Sequence, residues 1–225
     1  MPIYKGNTKV VKLYKGTTQI VKRYKGTNII YSASRLPAEF QEVEYLESTG
    51  TQYIDSLVHV NNNDQIEMVF ESTQLNITQR FFGGTYNTSG ASFGTRSDDN
   101  VFMCMGNGIW EYTNINVQTN TKYKISVDNT GLWLLNGITL YSKKQITSSN
   151  GFNMCLMCSN AKGIIYYETP MRLFSYIHKN NNGTPVRNFV PCYRKADNVA
   201  GLYDLVNGVF YTNAGTGTFI VGGNV

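Results

Sequence analysis

Leu132-Trp133-Leu134-Leu135-Asn136-Gly137-Ile138-Thr139-Leu140-Tyr141 reads as one β-hairpin. Two apolar, β-branched and aromatic runs flank an Asn-Gly step, and Asn-Gly supplies the two positive-φ positions of a two-residue type I′ turn. Two further Asn-Gly steps repeat the pattern: Asn207-Gly208 lies between 202–206 and Val209-Phe210-Tyr211, and Asn182-Gly183 lies between 171–178 and 186–193. Working outward, strand-like runs fall at 41–46, 65–70, 101–105, 123–128, 152–158 and 164–167, with turn residues between them. No segment holds a helical period with caps. The expected fold class is all-β, with about a dozen antiparallel strands stacked as two sheets in a jelly-roll sandwich.

The composition agrees. Hydrophobic residues make up 41% of the 225 and charged residues 16%, which places the chain among globular rather than disordered sequences. No apolar run approaches the roughly 20 residues that cross a bilayer, so no membrane partner is expected. The first residues, Met1-Pro2-Ile3-Tyr4-Lys5-Gly6, lack the apolar core of a signal peptide, and synthesis in a cytoplasm is the expectation.

Charge divides the chain. Residues 1–35 carry eight bases and no acid, whereas residues 36–225 carry 12 bases against 15 acids. The basic segment is a ten-residue repeat, marked by Tyr4-Lys5-Gly6, Tyr14-Lys15-Gly16 and Tyr24-Lys25-Gly26. Glycine supplies turn geometry at Gly6, Gly16 and Gly26, and the stretches between are β-formers, so a meander of short strands is expected. Val10, Lys12 and Tyr14 fall on one face, and Lys9, Val11 and Leu13 on the other. Thirty-five residues cannot bury apolar atoms on both faces, and small sheets need a partner surface. Tyr4, Lys5, Val11, Leu13, Tyr14, Lys15, Val21, Tyr24 and Lys25 are therefore the candidate attachment and oligomerisation residues. They would act by strand addition to another protein, by self-association, or by both. A solvated tail and a nucleic-acid-binding arm are the alternatives, the latter disfavoured by the strict turn spacing.

Two stretches carry a resemblance. Leu36-Pro37-Ala38-Glu39-Phe40-Gln41-Glu42-Val43-Glu44-Tyr45-Leu46 runs on to Asp55. Val186-Arg187-Asn188-Phe189-Val190-Pro191-Cys192-Tyr193-Arg194 runs on through Gly201-Leu202-Tyr203-Asp204 to Phe219. They resemble the opening and closing segments of LamG-like, concanavalin A-like domains, which occur in bacteriophage structural proteins and in surface proteins of gut bacteria. The Tyr-Lys-Gly units resemble N-terminal modules of phage virion proteins. The resemblance covers about 36–221 and implies a concanavalin A-like sandwich, frequent glycan or protein binding, and a virion or cell-surface setting. It supplies no sugar-binding triad, and about 72–120 carries no motif of the family.

Candidate chemistry was sought along the body. Trp110 and Tyr112, beside Asn107, Asn114 and Asn116, form a candidate glycan platform of stacking faces and amide donors. For Trp110, core packing is the first expectation and ligand binding the second; Trp133, between Leu132 and Leu134, is expected in the core. Asp98-Asp99-Asn100 is a weak calcium candidate, with a plain polar turn as its alternative; no other metal or cofactor is expected. Glu42-Val43-Glu44 and the pair Glu67 and Glu71 are the nearest approach to the two carboxyls of a glycosidase, and neither continues the required pattern. His59 and His178 lie near no nucleophile elbow, and His178, before a polar turn, is expected to be exposed. Cys104, Cys155, Cys158 and Cys192 are expected as free, buried thiols. On a regular strand Cys155 and Cys158 would point to opposite faces.

Together these features predict a non-enzymatic chain of two parts, an arm at 1–35 and a sandwich at 36–225. The arm would join it, as a homo-oligomer and in particular a trimer, to capsid or tail proteins at the virion surface. The sandwich would face outward toward cell-surface or mucosal glycans. A glycan-binding adhesin module of a bacterial surface protein and a glycoside hydrolase are the alternatives.

Overall fold

The computed structural model describes residues 35–86, 89–105 and 109–225 and, before them, the strand residues 4–5, 8–9, 13–15, 18–20, 22–25 and 28–32. The chain resolves into two units, Met1–Ala38 and Glu39–Val225.

In the first unit the ten-residue period is a period of strand pairs. Tyr4–Lys5 pairs with Thr8–Lys9, Leu13–Lys15 with Thr18–Ile20, and Lys22–Lys25 with Asn28–Ser32, all antiparallel. The register repeats: each lysine of the motif faces the residue three positions on, as in Lys5↔Thr8, Lys15↔Thr18 and Lys25↔Asn28. The expected continuous meander takes another form among the described residues, three separate two-stranded sheets. Tyr4, Lys5, Leu13, Tyr14, Lys15, Tyr24 and Lys25 occupy strand positions. Val11, Val21 and the three motif glycines lie outside the described residues.

The second unit is the all-β jelly-roll sandwich expected from the hairpin spacing. One sheet, the back sheet, runs Ile138–Tyr141, Trp133–Leu135, Tyr123–Val127, Gln65–Ser72, Pro170–Lys179, Pro185–Arg194, Val199–Asp204, Phe210–Thr212. Phe40–Glu42, Leu46–Thr49 and Ile220–Val221 extend it. The other, the front sheet, runs Ile109–Asn116, Asn100–Met105, Ser89–Thr95, Gln79–Tyr86, Asn153–Leu156, Ile54–His59, with Ser159–Ala161 and Ile164–Tyr166 attached. Among the described strands pairing is antiparallel except where Ser159–Ala161 runs parallel to Gln79–Tyr86, and the isolated bridge Ser72↔Thr119 is also parallel.

Period-two patterning builds the core between the sheets. Along Gln65–Ser72, Ile66, Met68 and Phe70 are buried and belong to the core, while Glu67, Val69 and Glu71 face the other way. From the front sheet Phe81, Phe93, Val101, Met103 and Leu156 meet them. Phe70 stands 4.2 Å from Phe81 and 5.9 Å from Phe93, ring to ring. Burying one such side chain contributes about 1.5–3 kcal/mol. Trp133 is in this core, as expected, and its indole N–H donates to Lys144 O at 2.9 Å. No helix of the described residues is long and apolar enough to cross a membrane.

Turn chemistry follows the sequence in one of three places. Asn136 and Gly137 have φ of 49° and 81°, the type I′ pattern, and Leu135 pairs with Ile138. At Asn182-Gly183 and Asn207-Gly208 only the glycine is left-handed. There the strand ends stand farther apart, and the connections close by Gly183 N–H to Asn180 O and Gly208 N–H to Asp204 O. Longer hairpin loops are commonly built on a type I turn followed by a single left-handed residue.

Three further expectations change. The strand expected at 41–46 divides into Phe40–Glu42 and Leu46–Thr49, because Val43 N–H turns aside to Pro191 O and Glu44 N–H to Gly223 O. The strand expected at 152–158 stops at Leu156, because Met157 adopts φ 66° and gives its N–H to Phe81 O. That kink cancels the alternation and keeps Cys155 and Cys158 neighbours instead of facing apart; burial, then the adjoining Cys155 thiol, raises the Cys158 pKa. All four cysteines are free and buried, as expected. His178 is the clearest correction: it is 0% exposed, with its ring Nε2 2.8 Å from Asp64 Oδ2. The strand Pro170–Lys179 continues past it, and the alternation of Tyr176 and His178 turns both inward.

Candidate functional site

A groove of about 680 Å³ lies on the face of the front sheet turned away from the core. That volume suits a small ligand, since such sites commonly measure about 300–1,000 Å³. Its floor is made by neighbouring strands. Asn100–Met105 alternates Val101 and Met103 into the core with Phe102 and Cys104 into the outer layer. Ile109–Asn116 alternates likewise: Trp110, Tyr112, Asn114 and Asn116 are exposed on one face, while Ile115 packs on the core. The register sets Tyr112 opposite Phe102 and Trp110 opposite Cys104, so three aromatic rings gather, with Phe102 5.6 Å from Trp110 and 6.2 Å from Tyr112. Thr85, Ile164, Tyr166 and Tyr167 close the opposite side.

Arg80 sits in the middle. Its guanidinium carbon is 3.9 Å from the centre of the Phe102 ring, 4.5 Å from Tyr167 and 5.5 Å from Trp110. A guanidinium at these distances is attracted by each ring's negative face. The side chain is 7% exposed, and its Nη1 donates to Gln79 O at 2.9 Å. Burial draws its pKa down to about 10, so it stays charged at neutral pH while having lost much of its hydration. Arg96 lies 5.0 Å over the Tyr112 ring and pairs with Asp98 at 3.1 Å. No Asp or Glu is among the described lining residues.

A buried hydroxyl holds the two walls together. Thr169 Oγ1 accepts the Arg80 N–H at 2.8 Å, and its single proton is shared between Arg80 O at 2.9 Å and Tyr167 O at 2.8 Å. Thr169 N–H in turn bonds Met157 O. Tyr167 has φ 58°, a conformation costly for a bulky residue, and such backbone outliers cluster at ligand sites. The Thr169 clasp is what fixes that ring against Arg80. Gly83 serves the same junction, because a Cβ there would lie 2.4 Å from Ser159 Oγ and 3.0 Å from its Cα.

Of the candidate glycan residues, the structure brings Trp110 and Tyr112 into the groove, 45% and 54% exposed, so core packing is not the role of Trp110. An edge strand whose other face covers the core explains this: period two must turn alternate residues outward. Asn114 shares the exposed face but lies beyond the groove lining; Asn116 is spent on Asp98 O at 3.2 Å; Asn107 lies outside the described residues. Asp98 and Asp99 serve the turn. Asp98 accepts the Asn100 N–H, and hydrogen bonding from the Asn100 side chain, then from its backbone, with Arg96 nearby, holds the Asp98 carboxyl below the ordinary range; Asp99 accepts the Asn76 N–H at 2.7 Å. Among the described residues no three of His, Cys, Asp and Glu gather as a metal site.

Of the acids considered for hydrolysis, Glu67 and Glu71 lie on the back sheet and are paired, while Glu42 and Glu44 lie at or beside the short strand Phe40–Glu42, away from the groove lining. Glu67 meets Lys124 at 2.8 Å and Lys179 at 2.5 Å; Glu71 meets Arg172 at 3.2 Å, and the same arginine meets Glu47 at 2.6 Å. Arg80, Tyr166, Tyr167 and Thr169 were not singled out from sequence. The available signals were slight: an arginine abutting two phenylalanines, and a tyrosine pair at the end of a strand.

No protein-family model matches the chain, and no curated protein sequence matches it. Among solved structures it is similar to the native heptameric SAP-like pentraxin of Limulus polyphemus, with TM-score 0.45 and 9% identity over 81% of this chain and 94% of that one. It is also similar to the Caenorhabditis elegans galectin LEC-6, with TM-score 0.35 and 16% identity over 59% of this chain and 99% of that one. What the groove binds therefore has to follow from its own side chains.

Proposed function

We propose that this chain is a non-enzymatic carbohydrate-binding protein that holds a sugar in the front-sheet groove and is anchored by its Tyr-Lys-Gly arm to a larger particle, the capsid or tail of a bacteriophage virion. One observation carries the binding function: exposed Trp110 and Tyr112 stand side by side across a groove whose described lining contains no carboxylate. Aromatic faces stack on the apolar faces of sugar rings, whereas glycoside hydrolysis needs two carboxyls flanking the scissile bond. Of the carboxylates weighed for that chemistry, Glu67 and Glu71 are engaged by lysines and an arginine on the other sheet, and Glu42 and Glu44 are not among the groove lining. Calcium has no part in this proposal, since Asp98 and Asp99 are occupied by backbone N–H groups and Arg96.

The attachment role rests on the repeat. Three similar strand pairs, each too small to be stable alone, have edges that no other strand pairs among the described residues, and their basic composition suits an acidic partner surface. The resemblance of these units to phage virion modules supplies the setting, and self-association as a trimer is part of the same proposal.

The test is a glycan array probed with the full chain and with Trp110→Ala. Binding to a defined saccharide set, lost in the variant, is expected. Absence of binding to any glycan would overturn the carbohydrate-binding role. Sedimentation of the full chain beside a chain lacking residues 1–35 tests the arm: an oligomer that becomes a monomer on truncation is expected, and a monomer in both cases would refute self-association.

A further inference from the structure

The arginines of the sandwich differ in one respect. Arg96, Arg172, Arg187 and Arg194 each have a carboxylate within 4.0 Å, at Asp98, Glu47 and Glu71, Asp204 and Asp197. Arg80 is 7% exposed and, among the described residues, has no carboxylate partner at all. Its charge is met only by aromatic rings and one carbonyl, Gln79 O. A guanidinium carries five N–H donors in a rigid fork, and none of the Arg80 nitrogens is both sealed from solvent and unpartnered. The donors that Gln79 does not take are therefore open to the groove.

A buried cation without a counter-ion is costly, and an anion that meets it recovers a charge-assisted, bidentate contact in a poorly hydrated place. We infer that the groove selects saccharides bearing a carboxylate or a sulfate ester, with that group on the Arg80 guanidinium and an adjoining sugar ring on Trp110 or Tyr112. The inference rests on the carbohydrate-binding proposal above and narrows it to acidic glycans. Arg96, already paired with Asp98, contributes a second positive group at the rim. A nucleic-acid strand shares the chemistry of anion plus stacking, but proteins that bind such strands line an extended groove with cations along the backbone path. Here the sandwich carries 12 bases against 15 acids over residues 36–225, and the cations lining the groove are Arg80, Arg96 and Lys162, of which Arg80 is buried and the other two are exposed. A locally placed acid group fits that arrangement better than a continuous polyanion.

The experiment titrates the full chain with an oligogalacturonate, its methyl ester, a sulfated oligosaccharide and single-stranded oligo-dT, alongside an array containing neutral and acidic glycans. Arg80→Met, which keeps a long side chain between the rings, and Arg80→Lys, which keeps the charge without the fork, are measured beside the wild type, with thermal unfolding as a check on folding. Acidic members are expected to bind, neutral ones to bind at least tenfold more weakly, and Arg80→Met to lose at least tenfold for acidic members only. Arg80→Lys is expected to fall between. The carboxylate and sulfate arms tell which acid group is preferred. Equal binding of neutral and acidic glycans, with Arg80→Met indifferent, would overturn this inference and leave the carbohydrate-binding proposal standing. No glycan binding at all would overturn both, and preference for oligo-dT over every saccharide would likewise overturn both.

Discussion

The outward faces of the two sheets carry similar side chains and treat charge in opposite ways. On the back sheet Glu67 lies between Lys124 and Lys179, and Arg172 lies between Glu47 and Glu71. Every one of these groups has a partner from a neighbouring strand, at positions that the antiparallel register sets close together. On the front sheet Arg80 is stacked among Phe102, Tyr167 and Trp110 and has no carboxylate partner among the described residues. The first face is complete in itself. The second, as proposed above, is completed by an acidic ligand, a role that aromatic exposure alone does not suggest.

The same substitution on the two faces should therefore have opposite consequences. Trp110→Ala removes the stacking face and is expected to weaken saccharide binding by about 1–3 kcal/mol while barely affecting stability, as its ring is half exposed; calorimetric titration with thermal melts measures both. Arg80→Met should abolish preference for acidic ligands yet leave stability within about 1 kcal/mol, because an unpaired desolvated charge gives way to an apolar chain. Arg172→Met should do the reverse: binding unchanged, stability lowered by about 1 kcal/mol, since Glu47 and Glu71 lose their shared partner. Denaturant melts of the two variants side by side decide whether the faces differ as argued. Equal stability losses would remove the contrast.

Thr169→Val sharpens the point from the other side. It leaves the Arg80 N–H without an acceptor in a buried place and frees Tyr167, so a loss of about 1–3 kcal/mol in stability and a weaker ligand affinity are expected together. Thr169→Ser, which keeps the hydroxyl, should restore affinity. The smallest effect belongs to Glu67→Gln. Hydrogen bonds from Lys124 and Lys179 hold the Glu67 pKa below the ordinary glutamate value. Its stabilisation is thus present above the unfolded-state pKa and lost as pH falls through the folded value. The variant should lose less than about 1 kcal/mol at pH 7 and show a flatter acid limb of its stability profile, with binding untouched.

How much of this was legible in the sequence varies between the faces in the same way. The back sheet announces itself: Gln65–Ser72 alternates cleanly, Leu132 to Tyr141 spells a hairpin, and the strands at 171–178 and 186–193 needed only short extensions to Pro170–Lys179 and Pro185–Arg194. The groove strands Gln79–Tyr86, Ser89–Thr95 and Ile109–Asn116 do not. Gly83, Gly84, Gly90 and Gly94 give the first two of these the composition of loops. Yet glycine at 94 answers to crowding, since a Cβ there would lie 1.9 Å from Gln79 O. Close backbone approach, which only the fold creates, made a strand look like a turn. Trp110 and Tyr112 could be named because an exposed aromatic pair beside amides is a local pattern. Arg80 could not, since its meaning lies in the absence of an acid contributed by distant segments. His178 failed for a related reason: a polar residue near a turn looks exposed until Asp64, 114 positions away, is seen beside it.

The account is tested most directly by a crystal structure of the full chain with an acidic oligosaccharide that it binds. An anionic group within hydrogen-bonding distance of the Arg80 guanidinium, and a sugar ring stacked on Trp110 or Tyr112, is the result expected. A saccharide seated anywhere else on the sandwich, with the front-sheet groove holding only water, would contradict it.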